Sequence, residues 1–310
     1  VRFDRLKSEV QPLDKSSSQF VRSLSSSLGP VSGMLAGEDF DYPLGRWGGQ
    51  NGGFGWGGPW EDIYIEQGNT MTNAIFPSSL RFGIMTSSGN HAALTGDFNR
   101  IRRKLSTSIS GVFDTAGYVE DQDGARLIGR SGTTLYVSFL QQIDRLDQAF
   151  YGFEMNRGDG NRNRVVCIGH GAARGWNEDQ SPDREAGETG WAVTSEFNGK
   201  DNLLLELGNL GPETNDVTLL VVKISFGDNN RDTIEVFKNP TSLWDESQCT
   251  PDVVGEGNFA FDRIGFANFI GDKIYEVDNI RIGTTFAGVT RPSLQRPPTL
   301  EHSGQATTVE

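Results

Sequence analysis

Little in this chain is suited to covalent or metal chemistry. Its 310 residues include two cysteines, Cys167 and Cys249, and three histidines, His91, His170 and His302. No histidine has a second ligand at metal-site spacing, and there is no phosphate loop, nucleophile elbow or zinc pattern. Basic residues are few, 28 Lys and Arg against 41 Asp and Glu, for a formal net charge of -13. A nucleic-acid or anionic-membrane partner requires a basic face, so the charge balance argues against both. Hydrophobic content is low at 35%, and no run approaches the ~18 apolar residues of a membrane-spanning helix. Helical periodicity is scarce as well: Gln141 to Gln148 alone reads as a helical turn.

The two cysteines leave two readings open, buried free thiols or one disulfide closing a long loop; the deciding test is geometric. His170 follows Cys167 in CIGHG, which suggests a thiol–imidazole pair, but strand alternation would send the two side chains to opposite faces. The chain opens on Val1 without a methionine or signal peptide, which predicts a processed product or a segment of something longer.

What the chain does have is glycine, 39 residues of it, with abundant Ser, Thr, Asn and Asp. Such residues tolerate the positive φ of tight turns, so this composition suits many short strands. Short apolar segments follow one another with turn signals between: Asp39 to Tyr42, Leu80 to Met85, Ala92 to Leu94, Ile101 to Ile109, Thr134 to Leu140, Ala149 to Met155, Val165 to Ile168 and Trp191 to Phe197. The clearest hairpin is Val217 to Phe226, a Gly-Asp-Asn-Asn turn, and Thr233 to Phe237. The fold class predicted is all-β, a two-sheet antiparallel β-sandwich or jelly roll over residues 36–290. Residues 1–35, with two serine runs, read as a linker or arm, and 291–310, with Pro292, Pro297 and Pro298, read as a tail.

Phe259 to Phe286 is the stretch around which the sandwich should be built. It reads as two strands joined by a Gly-Asp turn. Apolar residues fall on Tyr275 and Val277, then switch parity to Ile280 and Ile282. A regular strand keeps period two, so the switch predicts a β-bulge near Asp278 and Asn279.

In their order, GEDFDYPLG, GGQNGGFGWGGPW, TLYVSFLQQ, AFYGFEM, VTLLVVKISFGDNNRDTIEVFKNP and YEVDNIRIGTTF resemble concanavalin A-like lectin/glucanase sandwiches. The pattern is most similar to the laminin G-like jelly rolls of large bacterial exported proteins. Residues 1–22 resemble the trailing end of a FecR-like periplasmic sensor domain. The resemblance implies a location outside the cell, on its surface or in the periplasm. It also implies that such sandwiches often hold a structural calcium, and that some relatives are glycoside hydrolases.

Candidate sites follow. Glu276 and Asp278 stand two apart and share a face in a regular strand, which resembles the start of a glucanase carboxylate pattern. The third acid is missing, since Arg281 occupies its position; retaining hydrolysis needs two carboxyl groups ~5 Å apart. The structural alternative is that Asp278 ties down the bulge. Asp228, Asn230 and Asp232 alternate in the hairpin turn and offer three oxygen ligands to calcium, as does the acidic turn of Glu120, Asp121 and Asp123. Trp56 and Trp60 in the glycine-rich loop, and Trp176 and Trp244 in polar loops, are candidate stacking platforms for sugar rings, against the reading that the loop tryptophans seal the core. The first functional expectation is a non-catalytic exported module that binds polysaccharide or assembles with other copies of itself into an oligomer or filament through its tails and open sheet edges. The second is a glycoside hydrolase or polysaccharide lyase on the same fold, and the third a sensor or adhesin ectodomain.

Overall fold

The computed structural model describes residues 33–64, 73–86, 89–95, 99–144, 150–160, 163–170, 190–199, 205–269 and 274–291. Two large sheets face each other across a common core. Edge to edge, the first runs Val253–Gly257 (β18), Asp232–Lys238 (β17), Thr218–Ser225 (β16), Thr134–Ile143 (β11), Ile274–Gly283 (β20), His91–Thr95 (β7), Asn73–Phe76 (β4) and Gly45–Arg46 (β2), with Met34–Glu38 (β1) also paired to β20. The second runs Leu205–Asn209 (β15), Trp191–Ser195 (β14), Arg164–His170 (β13), Phe150–Asn156 (β12), Arg263–Phe269 (β19), Asn99–Lys104 (β8) and Glu61–Tyr64 (β3). Two small hairpins stand apart, Arg81–Phe82 (β5) with Met85–Thr86 (β6), and Val119–Gln122 (β9) with Ala125–Ile128 (β10). Every strand pair among the described residues is antiparallel. The chain is thus the all-β, two-sheet antiparallel sandwich that its turn-rich pattern predicts.

Alternation places the core. Leu135, Val137 and Phe139 of β11, Leu220, Val222 and Ile224 of β16, and Tyr275 and Val277 of β20 face Tyr151, Phe153 and Met155 of β12 and Ile264 and Phe266 of β19. Phe139 and Phe153 stack with ring centroids 4.5 Å apart. The first sheet is also covered on its outer face. Tyr136, Leu140, Leu219, Val221 and Phe237 pack under Phe286 and Val289 of a short helix, Phe286–Thr290 (α2; Val112–Thr115 is α1). Burial on both faces explains why TLYVSFL is apolar on both parities.

Three expectations need correction. Gln141 to Ile143 extend β11 rather than starting a helix, because Gln141 pairs with Thr218 on one side and Val277 on the other. The opening strand is Met34–Glu38, not Asp39 to Tyr42: Phe40 takes a positive φ of 50° and its N–H donates to the Glu38 carboxylate at 3.0 Å. The two strands of the Phe259 to Phe286 stretch are not hairpin partners. Strand β19 lies in the second sheet between β12 and β8, and β20 in the first between β11 and β7. A hairpin and a sheet-to-sheet crossing leave the same periodicity in sequence.

The bulge is where the parity switch puts it. Asn279 has φ 55°, and the register between β11 and β20 slips between Ser138 and Leu140. Tyr275, Val277, Ile280 and Ile282 are all fully buried. The slip also separates two neighbours on one flank of β20, with β7 pairing Ile274 to Val277 and β1 pairing Ile280 to Gly283.

The glycine-rich loop is organised by one buried acid. Glu38 accepts from Arg103 Nη1 at 2.5 Å, Tyr42 Oη at 2.6 Å and Trp60 Nε1 at 3.3 Å. Arg103 also donates to the carbonyls of Gly58 and Gly52 and to Asn51 Oδ1. At Gly53, φ is 67° and a Cβ would lie 2.2 Å from the Gly37 carbonyl oxygen, so the loop can close against β1 only with glycine there.

Candidate functional site

The residues singled out from sequence are dispersed. Glu276 and Asp278 do share the outer face of the first sheet, opposite Gln142 and Leu140. Asp278 is fully buried and its oxygens accept from Ser79 Oγ at 2.6 Å, the Leu80 N–H at 2.9 Å and the Asn279 N–H at 2.6 Å. Burial pushes the carboxyl up to about 7, against the pull of those three donors. Glu276 lies 2.9 Å from His91 Nε2, whose other ring nitrogen meets the Ser78 carbonyl at 2.7 Å. Burial works against the His91 imidazolium, but Glu276 and that carbonyl outweigh it and raise its pKa. These acids hold a bulge and an imidazole in place.

Trp60 is 1% exposed and is no surface platform, because Glu38 draws its indole N–H inward. Trp56 is half-buried, its N–H on the Gly37 carbonyl at 3.0 Å and the Arg103 guanidinium 4.7 Å above its ring. Trp244 is 43% exposed, with Arg291 over one face at 4.6 Å. Trp176 lies outside the described residues. In the hairpin turn, Asp232 turns both oxygens to backbone, the Gly227 N–H at 3.0 Å and the Phe259 N–H at 2.7 Å, while Asp228 accepts from Ser131 Oγ at 2.6 Å. Glu120 and Asp123 likewise meet Gln122 and Arg157. Cys167 and Cys249 are free thiols. Cys167 points outward from the second sheet, whereas His170 points inward, where it stacks on Tyr151 at 5.9 Å and pairs with Glu213.

The largest concentration of polar chemistry lies elsewhere, on the outward face of the second sheet. Strand β8 reads NRIRRK: Ile101 and Arg103 point into the core, so Arg100, Arg102 and Lys104 point out. Register then lines up one transverse row from seven strands, Glu61, Arg102, Gly265, Glu154, Cys167, Thr194 and Glu206. The adjacent row contains Arg100, Ala267, Gly152, Gly169 and Ala192. Gly152 and Gly169 are required by close approach, since a Cβ on Gly169 would lie 2.0 Å from the Tyr151 carbonyl oxygen.

Glu154 is the centre of charge, itself fully buried. Its Oε2 accepts from Arg100 Nε at 2.7 Å and Nη2 at 2.6 Å, and its Oε1 from Arg164 Nη1 at 3.1 Å. Burial favours the neutral acid, but Arg100, Arg164 and Arg102 outweigh it and hold Glu154 below its ordinary pKa. Arg164 also pairs with Glu196, and Arg263 with Asp262 and Asp159. Burial lifts the Cys167 thiol to about 12, so it is no nucleophile at neutral pH.

Arg102 is the exception. Among the described residues it forms no ion pair; its polar contact is Nη1 on the Asp159 carbonyl at 3.4 Å. It is 1% exposed, and its Nε and Nη2 have no hydrogen-bond partner. Burial, and Arg100 beside it, pull the guanidinium down to about 10, which still leaves a cation at neutral pH. Asn156 Nδ2 and Thr194 Oγ1, on the same face, are also buried without partners among the described residues. The signal in sequence is a strand with arginine on both parities; which partners each would find depends on register.

No protein-family model matches the chain, and no curated protein matches it in sequence. Solved structures with a similar chain path include the globular domain of T. cruzi calreticulin, at 13% identity over 73% of this chain and 84% of that one, with a TM-score of 0.42. An endo-beta-1,4-glucuronan lyase from the fungus Trichoderma reesei is 14% identical over 80% of this chain and 98% of that one, with a TM-score of 0.36. An alginate lyase solved with an alginate tetrasaccharide is 11% identical over 82% of this chain and 98% of that one, with a TM-score of 0.38.

Proposed function

We propose that this chain is a carbohydrate-binding β-sandwich, exported from the cytoplasm, that takes an extended saccharide against the outward face of its second sheet. The observation that carries this reading is the set of buried hydrogen-bonding groups without partners on that face: Arg102 Nε and Nη2, Asn156 Nδ2 and Thr194 Oγ1. Buried polar groups in folded proteins are almost always satisfied, and a polar ligand or ordered water against this face would satisfy these. A polyhydroxylated chain supplies the acceptors and donors that these groups lack.

The test is equilibrium binding to a panel of soluble neutral and acidic polysaccharides, comparing the wild type with Thr194→Val, which keeps the shape of the side chain and removes the hydroxyl. Binding to at least one polymer, weakened several-fold by Thr194→Val at unchanged thermal midpoint, is the expected result. Equal affinity in the two proteins for every polymer would remove the site from this face. Chain length of each polymer is followed in the same samples; shortening would replace binding by cleavage as the activity.

A further inference from the structure

Arginines Arg100, Arg102, Arg164 and Arg263 share the outward face of the second sheet, and three of them are matched by acids. Arg100 takes Glu154, Arg164 takes Glu154 and Glu196, and Arg263 takes Asp262 and Asp159. The fourth, Arg102, is held in position without being neutralised. Its stem lies over Gly265, where an added Cβ would come within 2.8 Å of Arg102 Cγ, and its Nη1 is turned to the Asp159 carbonyl. The two nitrogens left over are Nε and Nη2. Their N–H bonds lie on one edge of the guanidinium and point the same way, which is the fork that meets two oxygens of one oxyanion. Neighbouring Asn156 Nδ2 is another unused donor.

Resting on the carbohydrate-binding reading, we propose that Arg102 is the specificity residue of this face and that the saccharide it selects is anionic, presenting a carboxylate or sulfate to the Nε–Nη2 edge. A neutral sugar hydroxyl can accept from one of those N–H groups but leaves the buried cation uncompensated, which is costly. A carboxylate or sulfate oxygen pair accepts both and brings the missing charge. Acids on the same face oppose this in part: Glu61 stands across the ladder from Arg102, and Glu154 lies close enough to hold its pKa up. Glu154, however, is already paired with Arg100 and Arg164, and the remaining surface carboxylates are screened by salt.

The experiment uses the full chain with glucan-based polymers that differ in one group: a neutral glucan, a carboxylated glucan and a sulfated glucan. Each is titrated calorimetrically into the wild type, Arg102→Gln and a nearby control, Lys104→Gln. The expected result is that one anionic polymer binds, the neutral one binds at least tenfold more weakly, and Arg102→Gln loses about 10- to 100-fold in affinity while Lys104→Gln loses less than about threefold. The carboxylated and sulfated arms tell the two anions apart. Equal binding of neutral and anionic polymers, insensitive to Arg102→Gln, overturns the anion proposal and leaves carbohydrate binding intact. No binding of any polymer overturns both. If Arg102→Gln does not fold, the wild type decides alone: Nε–H resonance of Arg102 followed by NMR must shift and slow in hydrogen exchange on adding the anionic polymer, and an unchanged resonance sinks the idea.

Discussion

The carboxylate of Glu38 and the guanidinium of Arg103 meet at 2.5 Å inside the sandwich, each side chain 1% exposed. Three further donors of that arginine are used, on Gly58, Asn51 and Gly52. One position earlier in the same strand, Arg102 has the opposite fate. Strand alternation alone separates a cation that organises a loop from one that forms no direct ion pair among the described residues.

Removing one member of the satisfied pair leaves the other charged and buried. Glu38→Gln should therefore lower the unfolding free energy by about 3 to 5 kcal/mol, read from chemical denaturation. Replacing both, with Glu38→Leu and Arg103→Met, should cost clearly less than the sum of the single changes. Additive losses would mean that the two groups are not energetically coupled.

Arg102 should tolerate replacement better. Arg102→Met keeps the stem over Gly265 and removes a buried cation that forms no direct ion pair among the described residues, at the cost of one of the three cations around Glu154, so it should lower the unfolding free energy far less than Glu38→Gln does. The same change should weaken polysaccharide binding. A loss as large as that of Glu38→Gln would show that Arg102 is a full partner of Glu154.

The Asp278 carboxyl sits near 7 in the fold, well above an ordinary Asp at 3.8. A raised acid contributes stability that is fully present below the unfolded pKa and is lost as pH rises through the folded one. His91, raised as well, acts with the same sign. Wild type should therefore gain stability relative to Asp278→Asn as pH falls from about 8 to about 4, measured as denaturation midpoints at fixed temperature. A gap that stays constant across that window would show that Asp278 is ionised throughout.

Gly169→Ala forces a methyl to within 2.0 Å of the Tyr151 carbonyl and 2.6 Å of Gly152 Cα. Neither can yield without breaking the pairing of β12 with β13. A loss of at least about 2 to 3 kcal/mol is expected. Gly58→Ala, whose methyl would meet nothing within 4 Å, should be close to neutral and serves as the control.

Thiol labelling should find one reactive cysteine of two in the native protein. Cys249 is partly exposed on a loop, its Sγ donating to the Ser242 carbonyl at 3.4 Å. Cys167 is buried and its thiol is pushed up to about 12. It should react only on unfolding.

Much of the fold was legible because strand chemistry is local. Period-two alternation located β11, β12, β16 and β17, the Gly-Asp-Asn-Asn turn joined the last two, and the parity change from Val277 to Ile280 located the bulge. What stayed hidden was relational. Whether β19 and β20 pair or cross depends on which strands compete for their edges, and no residue within either segment records that. The charged face was hidden for the same reason: Arg102, Glu154 and Thr194 are far apart in sequence and are brought into one row only by the registers of β8, β19, β12, β13 and β14. Trp60 was readable as an aromatic in a loop, but its burial follows from Glu38, a residue whose need for donors appears only once Arg103 and Tyr42 converge on it.

The transverse row across the second sheet ends in a glutamate on each side, Glu61 and Glu206, but is unequal one strand in, with Arg102 on one side and Thr194 on the other. Rungs on neighbouring strands are ~4.8 Å apart, whereas same-face residues along one strand are ~6.6 Å apart. A chain lying across the strands would therefore be sampled more finely than one lying along them, with Arg102 on one side of the central Glu154 and Thr194 on the other. Reversing such a chain exchanges a guanidinium for a hydroxyl at the same distance from the middle. A saccharide bound along this row, as proposed above, would therefore be read in one direction only.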